Sequence, residues 1–456
     1  MHRHSTALWR AATLFLLCAA PGLLGQSQEA SRTPGAQTSE QSISKHLAAL
    51  KARGLPRTLS ELDEYYARTS SSMAAGAAFL KAFDALRNDR DLLGLAKAKL
   101  PGPGSRLPPA ELKQIKECLE INAQCLALLR TAAGHRFCRY PVDLTSGLTT
   151  KLPHLPAIKK AADLLILEAV YSADTGSGTQ AGEALQTALD LAASLNEEPM
   201  HLSYLLQTAV LTRTCRTLEW CLGRCAMPAT NMNHIRNRLL TFLPDRTYRR
   251  ALIGERCMGI ALFESAPSTF ETVVGERSPG FRQGVENYRR AGSWTRDYQS
   301  YLQVMEELDT IQTLGPREKL ARATALQQSQ SVNKGISDPF KVNIVSAMLL
   351  PAILRNPEKE LRRQTELCLA LTALSLRHAK QTGDLRAWAN ELETGTALSL
   401  PPFMLDPFVR KPLKFHHSDN TWLIYSVGPN GLPDTPKEDG GAGEMTTDDI
   451  RCTVRL

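Results

Sequence analysis

Apolar residues in this chain recur at helical spacing, and prolines punctuate the runs. The stretch Ala110–Ala133 shows it best. Leu112, Ile115, Leu119, Leu126 and Leu129 follow at steps of three, four, seven and three. Those steps return to one face of a helix with 3.6 residues per turn. Cys118, Ile121, Cys125 and Leu128 widen the stripe. The same spacing predicts helices over Ser71–Asp91, 155–173, 180–197, 200–226, 230–241, 245–264, 295–313, 316–331, 340–354 and 358–381. Pro199, Pro228, Pro244 and Pro357 fall between them, where helices start or stop. Thr58-Leu-Ser-Glu61 has the form of a capping box, in which Thr58 and Glu61 satisfy free amides of a first turn. No fixed repeat period relates the segments. The expected fold is mainly α, an irregular helical bundle or solenoid-like array.

The character changes after Leu400. Short β-type runs appear at Leu413–His416, Trp422–Val427 and Ile450–Val454, with Asp419-Asn420 placed to turn the first pair. These predict a small C-terminal α+β module with an antiparallel sheet. The expected organisation is a signal peptide at 1–25, a flexible linker at 26–41, a helical domain at 42–264 and a loop-rich connection at 265–294. A helical segment follows at 295–395, then a β module at 396–456 packed on helix 358–381.

The signal is read from a basic start at Arg3 and Arg10, the apolar run Ala11–Ala20, and small or turn-forming residues from Pro21 to Gly25. The run is shorter than the roughly 20 residues that span a bilayer, so cleavage and export are expected, to the periplasm or cell envelope. An uncleaved anchor is the alternative. Later apolar stretches such as Ala161–Tyr171 are broken by Asp163 and Glu168, so no second span is expected. Formal net charge is +8, of which Arg3 and Arg10 lie in the signal, and the basic residues are dispersed. That pattern argues against a nucleic-acid partner. Nine cysteines follow Cys18, an odd number that leaves at least one thiol over. Most sit in apolar helical patterns and are expected to be buried thiols, with one or two bridges permitted by an oxidising compartment.

Six segments carry a resemblance: TLSELDEYY (58–66), CRYPVDLTSGL (138–148), LPHLPAIKKAADLLILEA (152–169), ALQTALDLAASLNEEPMHLSYLLQTAV (184–210), DPFVRKPLKF (406–415) and YSVGPNGLPD (425–434). In this order they resemble a family of uncharacterised exported proteins that some bacteria carry in many copies. The last hundred residues, ELRRQTELCLALTALSLRHAKQTGDL (360–385), DPF, YSVGPNG and DDI, are similar to the globular part of the major pseudopilin of type II secretion. That resemblance implies a long helix on a small antiparallel sheet and a late loop that binds calcium. The pseudopilin's leader and polymerising helix do not precede this segment, so only the small fold is carried over. The resemblance makes Asp448 and Asp449 the foremost calcium ligands, then Asp434, with Asp439 and Glu444 behind. Calcium takes six to eight oxygen ligands, which this loop can supply, although Lys437 weakens its anionic character.

No G-x-S-x-G, H-E-x-x-H, Walker or dinucleotide motif occurs. Cys215, Cys221, Cys225 and Cys257 could form a zinc set by type, but their spacing favours packing thiols. His416-His417 alternate across a strand and cannot share one ion easily. His135 and Cys138 beside Arg139 form the foremost nucleophile candidate, set against a loop in which Pro141 and Asp143 shape a turn and the next cap. Glu197-Glu198-Pro199 with His201 could do acid–base work, or more simply end one helix and cap the next. The chain is therefore expected to be an exported structural or interaction protein with a protein partner in the cell envelope. The alternative is an exported hydrolase whose site is assembled from residues distant in sequence.

Overall fold

The computed structural model describes residues 34–66, 69–87, 95, 106–135, 137–244, 246–332, 343–385, 400–418, 421–432 and 449–455. Among them the chain is mainly helical, with a small antiparallel sheet at its C-terminal end. The helices are α1 Pro34–Ala52, α2 Leu59–Tyr65, α3 Ser70–Asp84, α4 Pro109–Ile121, α5 Ala123–Ala132, α6 His154–Asp174, α7 Gly178–Ala193 and α8 His201–Leu222. They continue as α9 Ala229–Phe242, α10 Arg246–Glu264, α11 Pro267–Val274, α12 Pro279–Arg290, α13 Ser293–Ile311, α14 Pro316–Val332, α15 Ile344–Ile353 and α16 Asn356–Thr382. The strands are β1 Lys414–Ser418, β2 Thr421–Ser426 and β3 Ile450–Arg455, in the order β1-β2-β3. The capping box at Thr58 forms in full, with Glu61 accepting from the Thr58 amide and Thr58 Oγ1 from the Glu61 amide. The expected Asp419-Asn420 turn lies outside the described residues.

Three expectations need correction. The helix read across Ala110–Ala133 is two helices, because Asn122 leaves helical geometry at φ −101°, ψ 13°. Its amide nitrogen donates to the Cys118 carbonyl and its oxygen accepts from the Arg87 amide, so the side chain stabilises the break. The stretch 265–294, read as loop-rich, carries α11 and α12. Its Pro267 and Pro279 lie in first turns, Ser278 caps α12 through the Phe281 amide, and Gly275 ends α11 at φ 78°. Loop-forming residue types here serve as caps. The linker expected at 26–41 gives way to helix from Pro34. Packing holds α1 in place. Leu50 is buried, and Ile43 and Leu47 pack against the same core as Leu302 and Leu308 of α13.

Two hydrophobic cores result, and they do not follow the expected domain boundaries. One gathers α2 to α9, α16 and the sheet, with Trp422, Ile424, Cys452 and Val454 of the strands in the same core as Leu367 and Leu371 of α16. The other gathers α1, α12, α13 and α15 around the rings of Phe263, Phe270, Trp294 and Tyr298. Helix α10 joins them, with Cys257 and Met258 in the first core and Leu252 and Ile260 in the second. No helix among the described residues is long and apolar enough to cross a membrane.

Close backbone approach fixes the segment 138–140. A Cβ on Gly76 of α3 would stand 2.1 Å from the Arg139 carbonyl oxygen. The Arg139 amide in turn donates to the Ser72 carbonyl at 2.9 Å. Gly76→Ala is expected to destabilise the fold by about 1–3 kcal/mol, because backbone must move to admit the methyl group. Gly315→Ala, where a Cβ meets nothing within 4 Å, is the control and should cost under about 1 kcal/mol. Urea denaturation of both variants checks the contrast.

Candidate functional site

Four segments distant in sequence meet at one buried carboxylate. Glu198 lies in the turn between α7 and α8 and is fully buried. Its two oxygens stand 3.0 and 3.1 Å from Nε2 of His154, at the start of α6. The hydroxyl of Tyr66, just after α2, donates to it at 3.2 Å, and Ser203 Oγ of α8 donates as well. The Tyr66 oxygen accepts the Tyr140 amide at 3.1 Å. The Tyr140 ring stacks on His154 at 4.3 Å, and its hydroxyl meets Ser194 Oγ at 2.8 Å. Arg139 covers the Tyr66 ring at 4.2 Å and pairs with Asp63 at 2.6 Å. Burial removes water from every member, so each carboxylate oxygen needs a protein donor, and each has one. Burial, with the Glu198 charge next in effect, holds the Tyr66 hydroxyl far above the ordinary phenol range, so it stays a donor.

This arrangement corrects the reading of Glu197-Glu198-Pro199 as a simple helix end and cap. Glu198 turns inward, while Glu197 pairs with Arg250 at 2.6 Å on the outside. The first turn of α8 is served from another helix, since the His201 amide donates to Glu255 of α10. His201 Nε2 meets Asn356 at 2.8 Å. The His135–Cys138 pairing is not formed as a nucleophile. His135 is exposed at the end of α5, whereas Cys138 is buried and its thiol is pushed up to about 12 by desolvation. A thiolate there is strongly disfavoured. Asp143 does make the expected cap, accepting the Thr145 amide at 3.0 Å.

All nine cysteines after Cys18 are buried thiols, with none in a disulfide. Cys221, Cys225 and Cys257 each face a different backbone carbonyl, those of Ala169, Cys221 and Pro56. His416 and His417 are exposed on β1, and the His417 ring lies 5.0 Å from Trp422. No cluster of three or more His, Cys, Asp or Glu suited to a metal occurs among the described residues. Of the expected calcium ligands, Asp434 and Asp448 lie outside the described residues, as do Asp439 and Glu444. Asp449 is described, and its buried carboxylate pairs with Arg451 at 3.5 Å.

Other buried carboxylates also work at a distance. Asp297 of α13 accepts the Val345 amide at 2.7 Å, the Ser346 amide at 3.2 Å and the Tyr288 hydroxyl at 3.1 Å, and so caps α15. Burial still pushes its carboxyl up to about 6. Glu219 of α8 accepts the Thr453 amide of β3, and burial pushes it up to about 7. Burial raises Glu255 to about 7 against the His201 amide. Asp406 receives the Phe408 and Val427 amides and the Ser426 hydroxyl, each at 2.9 Å, which ties the 406–415 segment to the end of β2.

A surface cleft of about 390 Å³ opens between the 3-10 turn Leu144–Thr149, α10 and α11. Its floor includes Met258 and Leu262, and its walls carry Ser and Thr hydroxyls. Thr149, Ser265 and Thr272 donate to carbonyls of their own turns, at 2.7, 2.8 and 3.0 Å, so their lone pairs are what remain to accept. Sequence reasoning missed both the Glu198 network and this cleft. The network had no local signal, since its members lie in four segments distant in sequence.

No protein-family model, curated protein or solved structure matches the chain.

Glu198→Ala is expected to cost about 3–5 kcal/mol in urea denaturation, because it strands three buried donors. Tyr66→Phe removes one of them and also the acceptor of the buried Tyr140 amide, so it should cost about 1–3 kcal/mol. The raised carboxyls also set a pH dependence. Asp297, Glu219 and Glu255 bind a proton more tightly folded than unfolded. Stability therefore falls as pH rises from the ordinary carboxyl range through about 6 to 7. Thermal melts should show a higher Tm at mildly acidic than at mildly alkaline pH, and Glu219→Gln should narrow the difference.

Proposed function

We propose that the chain acts outside the cytoplasm as a protein-interaction scaffold, and that it binds a protein partner in the cell envelope through the cleft beside α11. The observation that carries this is a contrast. The groups able to do acid–base chemistry, His154 and Glu198, are buried and hydrogen-bonded to each other. The accessible cleft instead offers an apolar floor and hydrogen-bond acceptors. An apolar surface edged by acceptors suits a polypeptide segment that buries a side chain and donates backbone N–H groups. Export rests on the N-terminal sequence pattern. The similarity of the last hundred residues to a pseudopilin supports an envelope setting and a calcium ion at Asp448, Asp449 and Asp434. In that reading calcium must displace Arg451 from Asp449, which lowers affinity.

N-terminal sequencing of material from the envelope is expected to begin between Pro21 and Ser27, and an intact Met1 start would show an anchor. Affinity capture with mass spectrometry should recover a defined partner with the full chain and lose it with Thr269→Trp, which fills the cleft from an exposed position. Equal recovery by both would remove the cleft from the proposal. Calorimetry should detect calcium binding that Asp448→Ala abolishes, and no heat of binding would retire the metal.

A further inference from the structure

The chain leaves β2 through Gly428-Pro429-Asn430-Gly431, a turn closed by the Gly431 amide on the Gly428 carbonyl at 3.2 Å. Asn430 is exposed there, and it is the one asparagine in the sequence that a glycine follows. Its side-chain oxygen accepts the Leu432 amide at 2.9 Å. Gly431 has φ 69°, in the left-handed region that glycine adopts without strain.

These contacts suit an intramolecular reaction. A backbone nitrogen attacks the carboxamide of the residue before it when the nitrogen is unobstructed and the carbonyl is polarised. Gly431 has no side chain to shield its nitrogen. The Leu432 amide draws electron density from Cγ of Asn430 and holds the oxygen on which negative charge develops, as an oxyanion donor does. Arg317 of α14 adds a positive charge, since a Cβ on Gly431 would stand 3.9 Å from its Nη2. A nearby cation favours loss of the amide proton. The bond from Gly431 to Gly428 opposes attack. Its length is at the long end of the N–H···O range, and breaking one such bond in an exposed turn slows the reaction by at most about tenfold.

We propose that Asn430 is a site of self-modification, converted within this turn to aspartate and isoaspartate with water as the only co-reactant. The Gly431 nitrogen bonds to Cγ of Asn430 and the Cγ–Nδ2 bond breaks. The amide group leaves as ammonia, carrying the proton that the Gly431 nitrogen gives up. Water then opens the five-membered imide. Cleavage at Cγ gives aspartate. Cleavage at the main-chain carbonyl gives isoaspartate, whose backbone runs through Cβ and is one carbon longer. Either product places a carboxylate on a neutral turn, next to a glycine that Arg317 approaches. Ammonia is lost to solvent, so the fraction converted rises with the age of the molecule.

The test incubates the full chain at neutral and mildly alkaline pH, folded and in urea. Peptide mapping by mass spectrometry then follows Asn430 and Asn233. Asn233 is also exposed but lies inside α9, ahead of His234. Asn430 should gain one mass unit in two separable products, faster at alkaline pH. Its folded rate should lie within about tenfold of the rate in urea, while Asn233 of the folded chain keeps its amide. Asn430→Gln, which needs a six-membered ring, should remove the change. The peptide from Asn430→Asp should co-elute with one product. No conversion in the folded chain, a folded rate more than about tenfold below that in urea, or conversion of Asn233 as fast as that of Asn430 would each overturn the proposal.

Discussion

A carboxylate with no access to water must be surrounded by donors, and the donors must come from elements that can reach it. Glu198 imposes this condition on the first core. His154, Tyr66 and Ser203 meet it from three separate helical regions, and the Tyr140 amide then completes Tyr66. Removing Glu198 leaves these buried donors without their acceptor, and removing the Tyr66 hydroxyl leaves the Tyr140 amide without its own, which costs more than the lost bond alone. The network thus specifies one arrangement of α2, α6, α8 and the 138–140 segment. Apolar packing between small and aliphatic side chains would accept several.

The same physics recurs wherever an element ends inside the molecule. A helix leaves four amides free at its start, and a buried start needs acceptors. Thr58 supplies one locally for α2. For α15 and α8 the acceptors come from Asp297 and Glu255, on helices far away in sequence. Glu219 does likewise for the backbone of β3, and Glu360 anchors α16 by receiving Tyr204 and Arg363. These carboxylates bridge elements and are themselves desolvated, so several carry raised pKa values. Structural economy and pH sensitivity have one cause.

Closeness between elements follows from small residues. Gly76 admits the Arg139 carbonyl, and Gly254 admits that of Pro199, where a Cβ would lie at 1.7 Å. Both contacts position segments that carry members of the polar networks, Arg139 and Tyr140 in one case and Glu198 and His201 in the other. Precision at the network therefore depends on absent side chains as much as on present ones.

Local rules made much of the secondary structure legible. The apolar stripe of α6 to α8, the Thr58 capping box, the Asp143 cap and the three C-terminal strands follow from spacing and residue type within a few positions of each other. The mainly helical class with a small C-terminal sheet followed from the same signals. Where local signals were ambiguous, tertiary contact decided. Ser278, Pro279 and Gly275 read as a loop because caps and loops use the same residues. Phe270, Phe281 and Tyr288 made helices there by burying rings beside Trp294. Residues 26–41 read as a polar linker without periodicity, yet helix starts at Pro34 and continues to Ala52, where Leu50 enters the second core. The sequence by itself determined which segments can be helix or strand, since that depends on neighbours three or four positions away. The fate of Glu198 and Asp297 was decided only in three dimensions. Whether a carboxyl is a surface residue, a network centre or a remote cap depends on water access and on partners brought from more than forty residues away, to judge from His154 and Glu198 or Asp297 and Val345.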